Sequence, residues 1–212
     1  MLNNIDSQKD TFAYTLQPYL QLTLDKIKQF AKSSEFSTKM NKAFGKTDNN
    51  LQKSWLEGRF DLPEIVIISQ QEINGADGAF AGATNTIYLA KEFLETNTLN
   101  TNTIVKLLLQ EYGHFIDHSI NSLDSPGDEG EIFAALVLKE SLDESQLLQL
   151  QTKNDTAIIF LNNQILEIEQ GGAVPGGGDD EIQEILGDSD NNNLSANIPA
   201  GKKLSIANNQ PY

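Results

Sequence analysis

The chain has 212 residues, with 30 Asp and Glu against 15 Lys and Arg, two histidines and no cysteine. Its net charge of −15 argues against nucleic acid and anionic lipid as partners, because neutralising phosphates takes clustered Lys and Arg. Without cysteine there can be no disulfide, thiolate zinc site, iron–sulfur cluster or thiol nucleophile, and the length suits one domain with appendages or two small ones.

Residues 1–10 show no basic segment followed by an apolar one, so no cleavable secretory signal is expected there. Export would then use a signal elsewhere, and otherwise the chain stays cytoplasmic. No apolar run of ~18 residues predicts a membrane span.

Over 11–44, Phe12, Leu16, Leu20, Leu24, Ile27 and Phe30 recur at intervals of three and four, the period of an amphipathic helix. Pro18 predicts a start or a kink within it. The Ile- and Val-rich run 62–69 predicts a buried strand, the Gly/Ala/Asn segment 74–85 a loop, and 86–90 a second strand. Candidate caps in 96–103 precede a helix over 103–119. Pro126 and Gly127 break the chain, and a further helix runs over 129–139, where Asp128 and Glu129 are read as first-turn carboxylates favouring the helix N-terminus. Ser141 and Glu144 have the spacing of a capping box, which predicts a helix to about Leu150. The runs 156–161 and 164–168, separated by Asn162 and Asn163, predict a hairpin.

Beyond Gln170 the composition changes: residues 171–200 hold six Asp or Glu, six Gly and no Lys or Arg. The expected organisation is an N-terminal helical region 1–60 forming one domain with a core 61–170, then an acidic Gly/Asn/Asp-rich tail 171–212 that buries too little apolar surface to order itself. The fold class is α+β, with N-terminal helices, a small mixed sheet, two site helices and a C-terminal hairpin.

Both histidines lie on the 103–119 helix. At about 100° per residue, Gln110, Glu111, His114, Asp117 and His118 fall within an arc of roughly 120°, with Leu107 the one apolar intruder. Zinc hydrolases use H-E-x-x-H on such a helix because residues four apart put two imidazoles on one face, with the glutamate poised to deprotonate metal-bound water. Here Gln110 takes the first histidine position, followed by Glu111 and His114.

Residues 110–117 match H-E-x-G-H-x-x-D at four of five defined positions, and Glu131, Phe133 and Ala134 on the next helix match E-x-F-A. Over about 63–138 the chain therefore resembles the zincin metallopeptidases, in particular lethal-factor-type gluzincins. The resemblance implies a zincin-like fold with Glu111 as general base, His114, Glu131 and the Gln110 position as metal ligands, and Asp117 behind them. Three departures from the pattern point to lost activity. Gln110 offers an amide where zinc prefers imidazole, Ala135 replaces a supporting glutamate, and no tyrosine lies between Tyr112 and Tyr212 to stabilise a transition state. The expectation is a degenerate metallopeptidase-like domain with weakly bound zinc or none, little or no peptide hydrolysis, and a protein or peptide partner.

Other readings stay open. His114, Asp117 and His118 have the spacing of the inverted H-x-x-E-H motif with Asp for Glu, which would make His118 a ligand. An active metalloendopeptidase with a non-standard ligand set is one alternative, and a non-enzymatic adhesion or binding module is another. In the latter, Glu111, His114 and Asp117 form a polar stripe that only orients two helices. In the tail, residues 187–195 resemble a degraded copy of the calcium-binding nonapeptide of RTX β-rolls, with Asp179, Asp180, Asp188 and Asp190 as possible calcium ligands. Together with the degenerate zincin motifs, this resembles regions of large exported bacterial RTX-type proteins.

Overall fold

In the computed structural model, which describes residues 4–172, 183–184 and 204–205, seven α-helices and a five-stranded mixed sheet form an α+β fold. The N-terminal helices are α1 (Asn4–Ala31), α2 (Phe36–Phe44) and α3 (Asn49–Glu57). Pro18 lies inside α1 and does not start it. The Asp48 carboxylate caps α3 by accepting from the amides of Asn50 and Leu51, and Gly58 ends it in the left-handed region at φ 79°.

The sheet comprises β1 (Glu64–Ile68), β2 (Gly78–Ala81), β3 (Thr86–Ala90), β4 (Thr156–Leu161) and β5 (Gln164–Gly171), in the order β1-β3-β2-β5-β4. Only β1 and β3 are parallel; β2 runs antiparallel to β3 and to β5. The loop expected over 74–85 therefore contains the central strand. Its sequence, Gly-Ala-Phe-Ala, has low strand propensity, and burial between two neighbours overrides that preference.

Strand alternation gives the sheet two apolar faces. Ile65, Ile67, Phe80, Ile87 and Leu89 pack with the helices, whereas Val66, Ile68, Ala79, Tyr88, Ile159 and Ile168 form a second cluster on the other side with Ile73. On the helical side, α5 (Thr101–Ile120) and α6 (Glu129–Leu138) pack against each other over the sheet. Phe133 of α6 is fully buried against the rings of Phe30, Phe44 and Trp55, with centroids 5.6, 5.5 and 6.2 Å away. Two shorter helices, α4 (Lys91–Thr96) and α7 (Glu144–Thr152), complete the chain order. The capping box of α7 uses Asp143 and Gln146, not Ser141 and Glu144, so the helix begins two residues later than the Ser141 spacing implies.

The boundary drawn at Gln170 falls within β5, which continues to Gly171. A two-residue parallel pairing joins Gln183–Glu184 to Leu204–Ser205. Asp179, Asp180, Asp188 and Asp190 lie outside the described residues. No helix among the described residues is long and apolar enough to cross a membrane.

Candidate metal centre

Two glycines set the approach of α5 to α6. A Cβ on Gly113 would meet the Gly130 Cα at 2.7 Å, and one on Gly130 would meet His114 Nε2 at 2.6 Å. The helices thus touch backbone to backbone, and the fully buried His114 ring reaches the first turn of α6. His114 Nδ1 lies 2.8 Å from Glu129 Oε1 and also 2.8 Å from Glu169 Oε2 on β5. One proton on Nδ1 serves one of these oxygens, so the other must carry its own proton or face a cation.

The second ring nitrogen has a different environment. His114 Nε2 lies 3.9 Å from Asp128 Oδ1 and 3.9 Å from Asp155 Oδ2, and neither Nε2 nor Asp155 Oδ2 has a hydrogen-bond partner among the described residues. Asp128 caps α6 by accepting from the Glu131 amide at 2.7 Å, and it also takes a hydrogen bond from Gln110 Nε2. Lys153 Nζ donates to Asp128 Oδ2 at 2.6 Å and to Glu131 Oε2 at 3.4 Å.

Five carboxyl groups, those of Glu111, Asp128, Glu129, Asp155 and Glu169, therefore gather near two basic groups, His114 and Lys153. Burial, aided by neighbouring carboxylates, pushes Asp155 and Glu129 each up to about 7, and holds Glu111 well above the usual carboxylate range. Burial alone would lower His114, but Glu129 and Glu169 together outweigh it and raise the imidazole well above its ordinary value.

Glu111 sits in a notch of the sheet. Gly78 and Gly171 are direct register partners on β2 and β5, and both approach its carboxyl. A Cβ on Gly78 would lie 2.6 Å from Glu111 Oε1, and one on Gly171 would collide with the same oxygen. Both Glu111 oxygens are buried without a hydrogen-bond partner among the described residues.

The expected site residues are distributed as follows. Glu111 and His114 face the cluster from α5. Gln110 spans it, its amide nitrogen on Asp128 and its Oε1 accepting from the Gly172 amide at 3.3 Å. Glu131 turns toward Lys153 and belongs to none of the three groups of donors that, among the described residues, lie within 4.8 Å of one another: His114, Asp128 and Asp155; His114, Glu129 and Glu169; Asp117, Asp124 and Glu129. His118 is exposed, its ring packed edge-on against Phe80 at 5.7 Å, and is also outside these groups. Asp117 accepts from Asn121 Nδ2 at 2.8 Å, Ser125 Oγ at 2.6 Å and the Ser125 amide at 2.9 Å, which ties down the connection into α6.

Asp155 and Glu169 were not legible as site residues, and Glu129 does more than favour a helix N-terminus. The signal for Glu169 was the alternation of β5, which places Glu167 and Glu169 on one face and the buried Leu166 and Ile168 on the other. Beside the cluster is a cavity of about 320 Å3, lined by Phe93, Thr103, Lys106, Leu107, Gln110, Glu131 and Gly172. Neither Glu111 nor His114 lines it.

Buried His, Asp and Glu side chains are thus grouped so that they can hold a metal ion. Compared with protein-family models, curated proteins and solved structures, the chain matches none.

Proposed function

We propose that this domain is a degenerate, zincin-like metal-binding module with little or no peptide hydrolysis. The observation that carries the proposal is the pair of orphaned, buried donors His114 Nε2 and Asp155 Oδ2, 3.9 Å apart, with Asp128 Oδ1 at the same distance from the ring. Leaving such atoms unpaired costs roughly 1–3 kcal/mol each, which a cation would offset. A carboxylate on Nδ1–H is also the support that metal-binding histidines use to fix the tautomer and present Nε2. One imidazole with two carboxylates fits zinc, bound less tightly than by a two-histidine set.

When bound, zinc supplies a Lewis acid and a more acidic water. The chain's own residues work against using it on peptides. Glu111, the expected base, is covered by Gly171 of β5, and the adjacent cavity reaches Gln110 without reaching Glu111 or His114. A binding role is favoured by the exposed Ile158, Phe160 and Ile165 on the β4–β5 hairpin, where Phe160 and Ile165 are register partners. Such a patch suits an apolar protein or peptide partner.

The test is a calorimetric zinc titration of the metal-stripped chain and of Asp155→Asn, with a casein assay alongside. The expected result is one zinc site in the parent chain, weakened at least about tenfold in Asp155→Asn, and no casein hydrolysis. Equal zinc affinity in both would move the ion away from His114, and zinc-dependent hydrolysis abolished by Glu111→Gln would restore the active-peptidase alternative.

A further inference from the structure

The unpartnered carboxylate and imidazole atoms lie on both sides of the His114 ring. Nε2 and Asp155 Oδ2 belong to the centre described above, whereas on the Nδ1 side Glu169 Oε2 faces the ring at 2.8 Å and Glu129 Oε2 is left without a partner among the described residues. On that second side, carboxylate oxygens of Asp117, Asp124 and Glu129 lie within 4.8 Å of one another. We infer that Asp117, Asp124 and Glu129, with Glu169 beside them, form a second cation site that takes a hard divalent ion of the calcium class.

The donor chemistry selects the ion. His114 Nδ1 is engaged with Glu129 and Glu169, so the Asp117–Asp124–Glu129 group offers only oxygen. Calcium takes six to eight oxygens at ~2.3–2.6 Å and accepts irregular geometry, which carboxylates and water supply. Zinc favours the nitrogen-containing set on the other side of the ring.

The site is built rather than incidental. Glu129 is 1% exposed, and its Oε2 has no partner among the described residues. Asp117, also 1% exposed, is held in place by Asn121 and Ser125, so its position on α5 does not depend on an ion. Asp124 is exposed on the connection between α5 and α6, where it gives solvent access. An ion here would join the end of α5, the 121–128 connection and the first turn of α6. Glu129 would then link the two centres, one oxygen on the imidazole and the other available to calcium.

The experiment uses the full chain, stripped of metal and titrated calorimetrically with calcium chloride and, separately, zinc chloride. Asp124→Asn is the informative variant, because Asp124 is exposed and its replacement leaves the core packing intact. The parent chain should take up a calcium ion that Asp124→Asn binds at least about tenfold more weakly, while zinc affinity stays within about twofold. Asp155→Asn should show the reverse pattern. Calcium uptake unchanged by Asp124→Asn would overturn the inference by placing the ion elsewhere, the tail carboxylates included. No calcium uptake at millimolar concentration, or equal loss of both ions in Asp124→Asn, would overturn it as well. Failure of zinc to bind would count against the proposed function and leave the calcium result to be judged independently.

Discussion

The two sides of the α5–α6 pair obey opposite rules. On one side Phe133, Trp55, Phe36 and Phe44 interlock as fully buried rings. On the other, of the seven buried side-chain atoms without partners among the described residues, six belong to Glu111, His114, Glu129, Asp155 and Glu169. The first side stabilises the fold through apolar burial, and the second draws on that stability to hold charges that do not balance. Such an imbalance, confined to one cluster, is the physical signature of a site.

The comparison is tested most strongly by removing the aromatic side. Phe133→Ala should cost about 3–5 kcal/mol, as transfer free energy plus a cavity among three rings, and chemical denaturation would measure it. A loss below about 1 kcal/mol would mean that the rings are not the source of stability.

The next effect concerns the glycine notch. Gly171→Ala drives a methyl group into the Glu111 carboxyl and should destabilise by about 1–3 kcal/mol. Glu111→Ala vacates that space, so the double variant should be more stable than the sum of the two single losses predicts. Additive losses would show that Gly171 and Glu111 do not meet.

That notch also shows how far the sequence could be read. The α5 stripe, the α6 N-terminus and the β4–β5 hairpin follow from periodicity and turn residues, because those signals are local. The strand β2 does not, since its Gly78 is present to accommodate Glu111 and weakens the very propensity by which strands are recognised. Asp155 and Glu169 reach His114 from the far end of the domain, and no spacing rule connects 114 to 155 or 169. The zincin-type ligand pattern points to Glu131, two residues beyond Glu129 and three beyond Asp128, the two that face the ring. Asp48 and Gly58, which bracket α3, are local cap signals of the same kind.

A smaller effect follows from pH. Asp155 and Glu129 are each raised to about 7, first by burial, so the folded chain binds these protons more tightly than the unfolded one. Their stabilising contribution is present in full below the ordinary carboxylate values and is lost as pH rises through about 7. The raised imidazole of His114 acts in the same direction. Metal-free protein should therefore lose stability steadily between pH 5.5 and 8, read as a falling Tm. Zinc should restore more of that loss at pH 8 than at pH 6, because its ligands must first shed protons. A metal-free Tm that rises over this range would contradict the burial of uncompensated carboxyl groups.

The smallest effect separates local from tertiary stabilisation at α7, whose residues are all at least partly exposed. Asp143 accepts from the Gln146 amide at 2.8 Å, and Gln146 Oε1 returns the favour to the Asp143 amide at 3.0 Å. Losing that reciprocal cap in Asp143→Ala should cost about 0.5–1 kcal/mol, whereas Ser141→Ala should cost nothing measurable, although Ser141 and Glu144 have the same spacing. Thermal melts of the two variants distinguish the caps directly. A larger loss in Ser141→Ala would shift the start of α7 by two residues and, with it, the path by which Lys153 reaches Asp128. The zinc isotherm of the same variants should then change too, because Lys153 is the resident cation on the Asp128 carboxylate. If instead only Asp143→Ala responds, and zinc affinity is unaffected, α7 is a locally capped helix whose N-terminal cap is separable from the Lys153–Asp128 contact.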